Sequence, residues 1–394
     1  MNCEMDRRQF LGGLGLGLSI PLAPFSLAQA ATASSRRLIL VELSGANDGL
    51  NTLVPFGDDR YRALRPNIGL DRHELLELND WQGLNAALEP LMGAWNGGEM
   101  AIVQGLGYPQ QSRSHFKSIA LWETGGDGTR AGRTGWLTDD LLTREGLKLD
   151  ADGISLDGGM GVFASSEGTW ISLTSLHQLR TLSAATRTFD YAGDAHGNDA
   201  LGLLLERAHS LDTAMANISA KMARTRVNRS FQLRGGELGP QLGLALQLVA
   251  HGIETPVLKV QLGGFDTHEH QRGTHAYLLR NLAQALSGLR SGLKSIGQWD
   301  NTLVMTYSEF GRRALENQSE GTDHGTAAPH FLMGGAVRGG LWGDHPDLGI
   351  LEENDLQFTM DYRALYHTVL AEWFGVKHNQ FNDKADKRLD GLVG

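Results

Sequence analysis

The sequence is poor in cysteine and has no excess of basic charge. Its 394 residues include a single cysteine, Cys3, which excludes both a disulfide framework and a thiolate metal site. Against 35 Lys and Arg stand 45 Asp and Glu, and the net charge of −10 disfavours nucleic acid or an anionic membrane surface as a partner. Hydrophobic residues at 41% and charged residues at 20% are typical of a folded globular protein.

The first thirty residues have the features of an export signal. Arg7-Arg8 opens a twin-arginine core, a short apolar stretch follows over residues 11–20, and Ala28-Gln29-Ala30 is a small-x-small cleavage site. The apolar stretch is too short for a permanent bilayer span, and the alternative is an amphipathic N-terminal helix. We expect a soluble periplasmic or secreted protein without stable membrane insertion, with the twin-arginine translocase as its partner during export.

Short apolar runs alternate with helical patterns in the rest of the chain. The predicted strands are 38–43, 100–103, 257–262, 302–307 and 330–333. The predicted helices are 84–95, 241–251, 276–296 and 362–374. This alternation predicts an α/β fold with a mostly parallel central sheet and helices on both faces. We expect one domain over residues 31–394, in which residues 127–235 form an insertion or cap with a helix near 201–222.

Carboxylates and imidazoles follow several predicted strands, at the edge where sites form in parallel sheets. The candidate metal ligands are Asp48, Asp266, His268, His270, Glu309, Asp323 and His324. Oxygen and nitrogen donors without sulfur suit a divalent ion such as Zn, Mn, Ca or Mg. Asp48 has a structural alternative as a helix N-cap or Asx turn, Glu309 has one as a partner of Arg312 or Arg313, and loop histidines can simply be solvated.

A second group of side chains precedes a predicted helix over residues 115–123. These candidate catalytic residues are Ser112, Arg113, Ser114 and His115. A hydroxyl at a helix N-terminus suits a nucleophile for ester cleavage, and an arginine can clamp an anionic oxygen. The alternative for Ser114 is an ordinary N-cap.

Four long motifs resemble one family. They are "ELSGANDGLNTLVPFGDD", "QGLGYPQQSRSHFKSIALWETG", "LGGFDTHEHQ" and "MTYSEFGRRALENQSEGTDHGTAAPHFLMGG". Together with the leader, they resemble the bacterial domain-of-unknown-function family 1501, placed in the alkaline phosphatase/sulfatase-like superfamily. The resemblance extends to about Gly375 and implies an alkaline phosphatase-like α/β domain.

The resemblance also implies a two-metal centre. Its ligands would fall on Asp48, Asp266, His270 or His268, Glu309 and His324. The chain departs from the superfamily at Phe310, which replaces a ligating histidine and cannot bind metal. The missing metal ligand would then have to come from Asp323, His270 or His275.

The position that carries the sulfatase nucleophile falls on Pro109, which has no nucleophilic atom. Ser112, Ser114 or a metal-activated water would have to replace it. The resemblance therefore implies a periplasmic metal-dependent hydrolase whose substrate is a small phosphate or sulfate ester. The alternatives are a catalytically inactive periplasmic binding or assembly protein with the same fold, and a phosphomutase-like enzyme, which fits an exported location poorly.

Overall fold

The fold is built around a nine-stranded sheet in the computed structural model, which describes residues 36–144, 148–179, 200–225 and 231–394. The predicted export signal over residues 1–30 lies outside these described residues. The strands are β1 (Arg37–Leu43), β2 (Leu53–Val54), β3 (Leu75–Glu77), β4 (Gly83–Asn85), β5 (Met100–Gly107), β6 (Gly153–Ser155), β7 (Trp170–Ser172), β8 (Val257–Leu262), β9 (Thr302–Tyr307), β10 (Arg312–Glu316), β11 (Thr322–His324), β12 (Ala328–Met333), β13 (Gly340–Trp342), β14 (Leu351–Glu352), β15 (Asp355–Leu356) and β16 (Met360–Asp361).

The helices range from one turn to seven turns. They are α1 (Asp59–Leu64), α2 (Met92–Asn96), α3 (His115–Thr124), α4 (Asp139–Leu142), α5 (Ala200–Arg224), α6 (Leu238–Ala250), α7 (Gln271–Ser295) and α8 (Tyr362–Thr368). Shorter 3₁₀ segments occur at Gly49–Asn51, Arg72–Glu74, Ala86–Leu91, Gly161–Phe163 and Asn382–Lys387, and a π-helical turn over Val369–Trp373 continues α8. Among the described helices, we find none that combines the length and the apolar character required to span a bilayer.

The central sheet has the order β13-β5-β12-β9-β1-β8-β6-β7, and β16 also pairs with β5. β1 pairs in parallel with both β8 and β9, whereas β12 is antiparallel to its neighbours β9 and β5. The prediction of a mostly parallel sheet is confirmed. Because β12 runs against its neighbours, its amino-terminal end lies at the same edge as the carboxyl ends of β1, β5, β8 and β9.

Helices cover both faces of the sheet, as predicted. Alternate residues of β1 divide between two cores, with Ile39 and Val41 in one and Leu38 and Leu40 in the other. The first core lies against α6 and α7, and the second lies against α3 and α8. Burial on both faces explains why β1, β8 and β9 appear in the sequence as mostly apolar runs.

Part of the region 127–235 belongs to the sheet. β6 pairs in parallel with β8, and β7 pairs in parallel with β6, so the two strands extend the sheet at one edge. Each strand has only three residues, which is too short for a recognisable apolar run. The helix expected near 201–222 is α5.

The segment 84–95, predicted as one helix, is divided among β4, a 3₁₀ segment and α2. Pro90 lies inside the 3₁₀ segment. Because proline has no N–H to donate and its ring clashes with the preceding turn, a continuous α-helix is disfavoured there.

Candidate metal centre

Imidazoles from three parts of the chain meet at the carboxyl edge of the sheet. His115 begins α3, after β5. His268 lies in the loop between β8 and α7, together with Asp266. His324 ends β11, just before β12. The hairpin β10–β11 therefore brings the last imidazole back to the edge at which β5 and β8 end.

The ring nitrogens of these histidines face one another. His324 Nε2 lies 3.1 Å from His115 Nε2 and 2.9 Å from His268 Nε2. Asp266 Oδ1 lies 3.1 Å from His324 Nε2 and 3.0 Å from His268 Nε2, and Asp266 Oδ2 lies 3.5 Å from His115 Nε2. Among the described residues, the ligand atoms of His115, Asp266 and His324 lie close enough together to hold a single ion.

Two of the rings are oriented by partners that have no proton to give. His115 Nδ1 lies 2.7 Å from the Glu309 carboxylate, and His324 Nδ1 lies 2.8 Å from the Arg113 carbonyl oxygen. Each Nδ1 must therefore donate, and each neutral ring has a lone pair on Nε2. These two lone pairs face each other across 3.1 Å, which is unfavourable unless a proton or a metal ion lies between them.

Asp266 is held by a buried arginine. Arg312 donates to Asp266 Oδ1 at 2.6 Å, and it also donates to the backbone carbonyls of Gly45, Ala46, Phe265 and Thr322. Burial raises the pKa of Asp266, but the hydrogen bond from Arg312 outweighs it, and the pKa is lowered to about 2. The carboxylate is thus ionised at neutral pH and fits the charge of a divalent ion.

Asp48 lies apart from the imidazoles. Its side chain is fully buried, and Oδ2 accepts from Arg65 Nη1 at 2.5 Å and from Gln271 Nε2. Although burial raises the pKa of Asp48, the charge of Arg65 more than offsets it and the pKa is lowered. The carboxylate that the resemblance assigns to a metal is therefore paired with a guanidinium.

Glu309 lies behind His115 and supports it. Besides the His115 ring, its carboxylate accepts from the Gly45 N–H at 2.9 Å and from the Ser308 hydroxyl at 3.1 Å. The neighbouring Phe310 is buried against the site, with its ring centroid 4.9 Å from those of both His115 and His324. Phe310, which cannot bind metal, thus forms an apolar wall beside His115 and His324, which can.

The remaining predicted ligands lie at the rim. Asp323 Oδ1 is 3.5 Å from His268 Nδ1 and accepts from Asn317 Nδ2 at 3.3 Å. His270 begins α7 with a left-handed backbone (φ 44°), its side chain is exposed, and its Nδ1 lies 3.9 Å from Glu320 Oε2.

The predicted catalytic residues lie at the start of α3. Ser114 is the N-cap residue, but its side chain makes no capping bond, and its N–H donates to Ser112 Oγ at 3.3 Å. The Arg113 guanidinium pairs with Glu353 at 3.1 Å and with Asp355 at 3.0 Å. Burial lowers the pKa of Arg113, but these two carboxylates outweigh it and raise the pKa.

A model of one family covers residues 72–394 and is described as a protein of unknown function (DUF1501). The chain belongs to this family. No curated protein matches it.

Several solved structures resemble this DUF1501 chain in fold. Ps i-CgsB, in a complex with k-i-k-neocarrahexaose, is 14% identical, with a TM-score of 0.42 over 91% of this chain and 75% of its own. Lipoteichoic acid synthase LtaP from Listeria monocytogenes is 11% identical, with a TM-score of 0.33 over 84% and 76%. Alkaline phosphatase from the Antarctic bacterium TAB5 is 8% identical, with a TM-score of 0.34 over 87% and 99%. At such TM-scores, these resemblances carry no argument about chemistry.

In this DUF1501 chain, the sequence did not predict three side chains as partners of the candidate carboxylate ligands. Arg65 and Gln271 hold Asp48, and Arg312 pairs with Asp266 and not with Glu309. Arg312 stands next to the motif residues Glu309-Phe310, a signal that it belongs to the site. Arg65 follows α1, and no feature of the local sequence distinguishes it from a surface arginine.

Proposed function

We propose that this protein is a metal-dependent hydrolase of phosphate or sulfate esters. The ion would be held by His115, His324, Asp266 and His268. The observation that carries the proposal is the pair of facing lone pairs on His115 Nε2 and His324 Nε2, 3.1 Å apart, beside an ionised carboxylate. Convergence of imidazoles and a carboxylate on the carboxyl edge of an α/β sheet is a common feature of catalytic sites.

The residues around the ligands would keep them in place for binding. Glu309 and the Arg113 carbonyl fix the directions of two rings, Arg312 fixes one oxygen of Asp266, and Phe310 limits access of water from one side. A bound divalent ion would supply a Lewis acid and lower the pKa of a coordinated water to about 7. The preorganised arrangement supports a water or hydroxyl attack at this edge.

The start of α3 supports an anionic ester as the substrate. Ser112 and Ser114 precede His115 directly, so hydroxyl groups lie near a candidate ligand in sequence. The amide groups at a helix N-terminus favour a negatively charged group. Either hydroxyl, or water at the metal centre, would be the nucleophile. Export to the periplasm or beyond is proposed from residues 1–30 alone.

One observation favours a second candidate, a binding or assembly protein that does not catalyse a reaction. The Arg113 guanidinium is paired with Glu353 and Asp355, so it is not free to clamp an anionic oxygen. A protein that binds metal but does not hydrolyse esters would not need a free arginine at this position.

The proposal is tested with a panel of phosphate and sulfate esters. We expect the metal-loaded protein to release inorganic phosphate or sulfate, and the variant His324→Ala to lose this activity. His270→Ala is the matched control, because this exposed histidine lies in the same motif but outside the imidazole group. If the protein with bound metal releases neither anion from any ester, the non-catalytic candidate is favoured.

A further inference from the structure

We propose that the centre takes a single ion of the imidazole-binding class, Zn²⁺, Co²⁺ or Ni²⁺, and that internal groups replace a second ion at Asp48 and Glu309. The inference rests on the proposed metal centre but does not depend on the reaction. It differs from the two-metal centre that the family resemblance implies.

A guanidinium already fills the position of a cation at Asp48. Arg65 is fully buried, and besides Asp48 it donates from Nη1 to Asn51 Oδ1 at 2.9 Å, from Nε to the Ala314 carbonyl at 3.0 Å and from Nη2 to the Arg313 carbonyl at 2.9 Å. With all three nitrogens bonded, the guanidinium has no alternative position. A dication bound at Asp48 would therefore meet a fixed positive charge in a medium of low dielectric.

The second oxygen of Asp48 does not offer a complete site. Oδ1 is buried and has no hydrogen-bond partner. The nearby His275 donates from Nε2 to Asn47 Oδ1 at 2.9 Å, so this nitrogen is engaged. Oδ1 is thus one atom of a carboxylate that Arg65 has neutralised. One such oxygen is far fewer than the set of ligands that a protein-bound dication requires.

Glu309 is likewise engaged, through its Oε1. Oε1 accepts from His115 Nδ1 at 2.7 Å and from the Gly45 N–H at 2.9 Å, whereas Oε2 lies 3.1 Å from the Ser308 hydroxyl, whose shorter bond is to the Leu43 carbonyl at 2.6 Å. An ion at Oε1 would have to break the bond that orients His115, and Oε2 is buried beside Ser308. Glu309 is therefore a positioning residue for an imidazole.

The donor set that remains defines the class of ion. His115 Nε2, His324 Nε2 and Asp266 lie close enough together to share one ion, and His268 Nε2 lies 2.9 Å from His324 Nε2. Arg312 occupies Oδ1 of the carboxylate, which leaves Oδ2 as the freer ligand atom. Imidazole-rich sites prefer Zn, Co and Ni, whereas Mg and Ca require mainly oxygen ligands. The Arg312 guanidinium, 3.5 Å from His268 Nε2, also disfavours a second dication nearby.

The test is a metal titration of the full chain after removal of metal with a chelator. Zn²⁺ and Co²⁺ are added separately, bound metal is counted by elemental analysis after gel filtration, and cobalt is also followed by its visible absorption. We expect one equivalent of either ion, retention of neither Mg²⁺ nor Ca²⁺ through the column, loss of binding in His324→Ala, and one equivalent in Asp48→Asn.

Two equivalents of zinc in the unaltered chain would overturn the inference and leave a metal-dependent hydrolase intact. Stoichiometric Mg²⁺ or Ca²⁺ in place of zinc would overturn the class of ion. No binding of any ion would overturn the centre itself. Because the count on the unaltered chain decides the matter, it stands even if Asp48→Asn fails to fold. The ester panel tests the reaction separately.

Discussion

At the scale of single residues, the direction of His115 depends on one buried carboxylate. Glu309 fixes the proton on Nδ1 and so leaves the lone pair on Nε2, pointing to His324. A partner of this kind commonly changes metal affinity without touching the metal. His324 has a backbone carbonyl in the same role, which a side-chain substitution cannot remove.

Replacing Glu309 with glutamine is expected to weaken metal binding by about 10–100-fold, because the amide orients the imidazole less strongly than a carboxylate. Competition with a chromophoric zinc chelator measures the change. Asp323→Asn is the matched control, since Asp323 faces His268 at 3.5 Å from an exposed position, and a smaller loss is expected. Equal losses in the two variants would contradict the role of Glu309.

Removing Arg65 from its buried pair with Asp48 is expected to lower the stability of the protein. Both side chains are fully buried, so Arg65→Met leaves an unpaired carboxylate in the core. The expected cost is about 3–5 kcal/mol in the free energy of unfolding. Arg60→Met removes an exposed partner of Asp58 and should change the free energy of unfolding little, because water screens an exposed ion pair. Urea unfolding measures both, and a similar small cost for each would show that Asp48 does not depend on Arg65.

At the scale of elements, the site depends on how closely two loops approach. Gly45 follows β1 with φ 108°, and a Cβ atom there would lie 2.4 Å from the backbone nitrogen of Asp266. Any side chain at this position would push the loop after β8 away from the edge. The contact couples the end of β1 to the placement of a candidate ligand.

Gly45→Ala is therefore expected to weaken zinc binding and to lower stability by about 1–3 kcal/mol through backbone strain. Gly263→Ala is the control in the neighbouring loop, because a Cβ atom there would meet nothing within 4 Å. Zinc titration and urea unfolding of both variants test the coupling. Unchanged zinc affinity in Gly45→Ala would contradict it.

The elements that could be predicted from the sequence are those whose burial is visible in a continuous run. β8 and β9 have the predicted bounds because both of their faces are covered and most of their residues are apolar. β6 and β7 have three residues each, and their place in the sheet depends on pairing with a distant strand. Such pairing leaves no local signal in the chain.

At the scale of the whole molecule, the sequence predicts the edge of the sheet at which the site forms. It does not predict which of the candidate residues at that edge bind metal. Asp266 and His268 follow the parallel strand β8, and the β10–β11 hairpin returns His324 to the same edge. The placement of these motifs after predicted strands predicts that they meet. Whether Asp48 or Glu309 binds metal depends on the positions of Arg65 and the Gly45 N–H. Those positions follow from tertiary packing, which the motifs do not specify.

A second buried network lies between the sheet and α3, and it makes stability depend on pH. Lys259 pairs with Glu42 at 2.8 Å and with Asp157 at 2.5 Å, and Glu123 lies near this group. Burial first, and then the charges of Glu42 and Asp157, raise the pKa of Glu123 from 4.5 to about 7, against the opposing effect of Lys259. The folded protein therefore holds this proton more tightly than the unfolded chain.

The contribution of Glu123 to stability is complete below about pH 4.5 and is lost as the pH rises through about 7. The loss amounts to at most about 3–4 kcal/mol at about 1.4 kcal/mol per pKa unit. Glu123→Gln should remove this part of the pH dependence, so that the variant gains stability relative to the parent between pH 5 and pH 8. Urea unfolding across this range measures it, with the exposed Glu167→Gln as control. Parallel pH profiles for parent and Glu123→Gln would contradict the prediction.

The central claim is that His115, His268, His324 and Asp266 share one ion. X-ray absorption at the zinc edge of the zinc-loaded protein tests it most directly. We predict scattering dominated by imidazole nitrogens at about 2.0–2.1 Å, with one oxygen from a carboxylate and no neighbouring metal. A first shell of oxygen alone, or a metal–metal distance of about 3.5–4 Å, would contradict it.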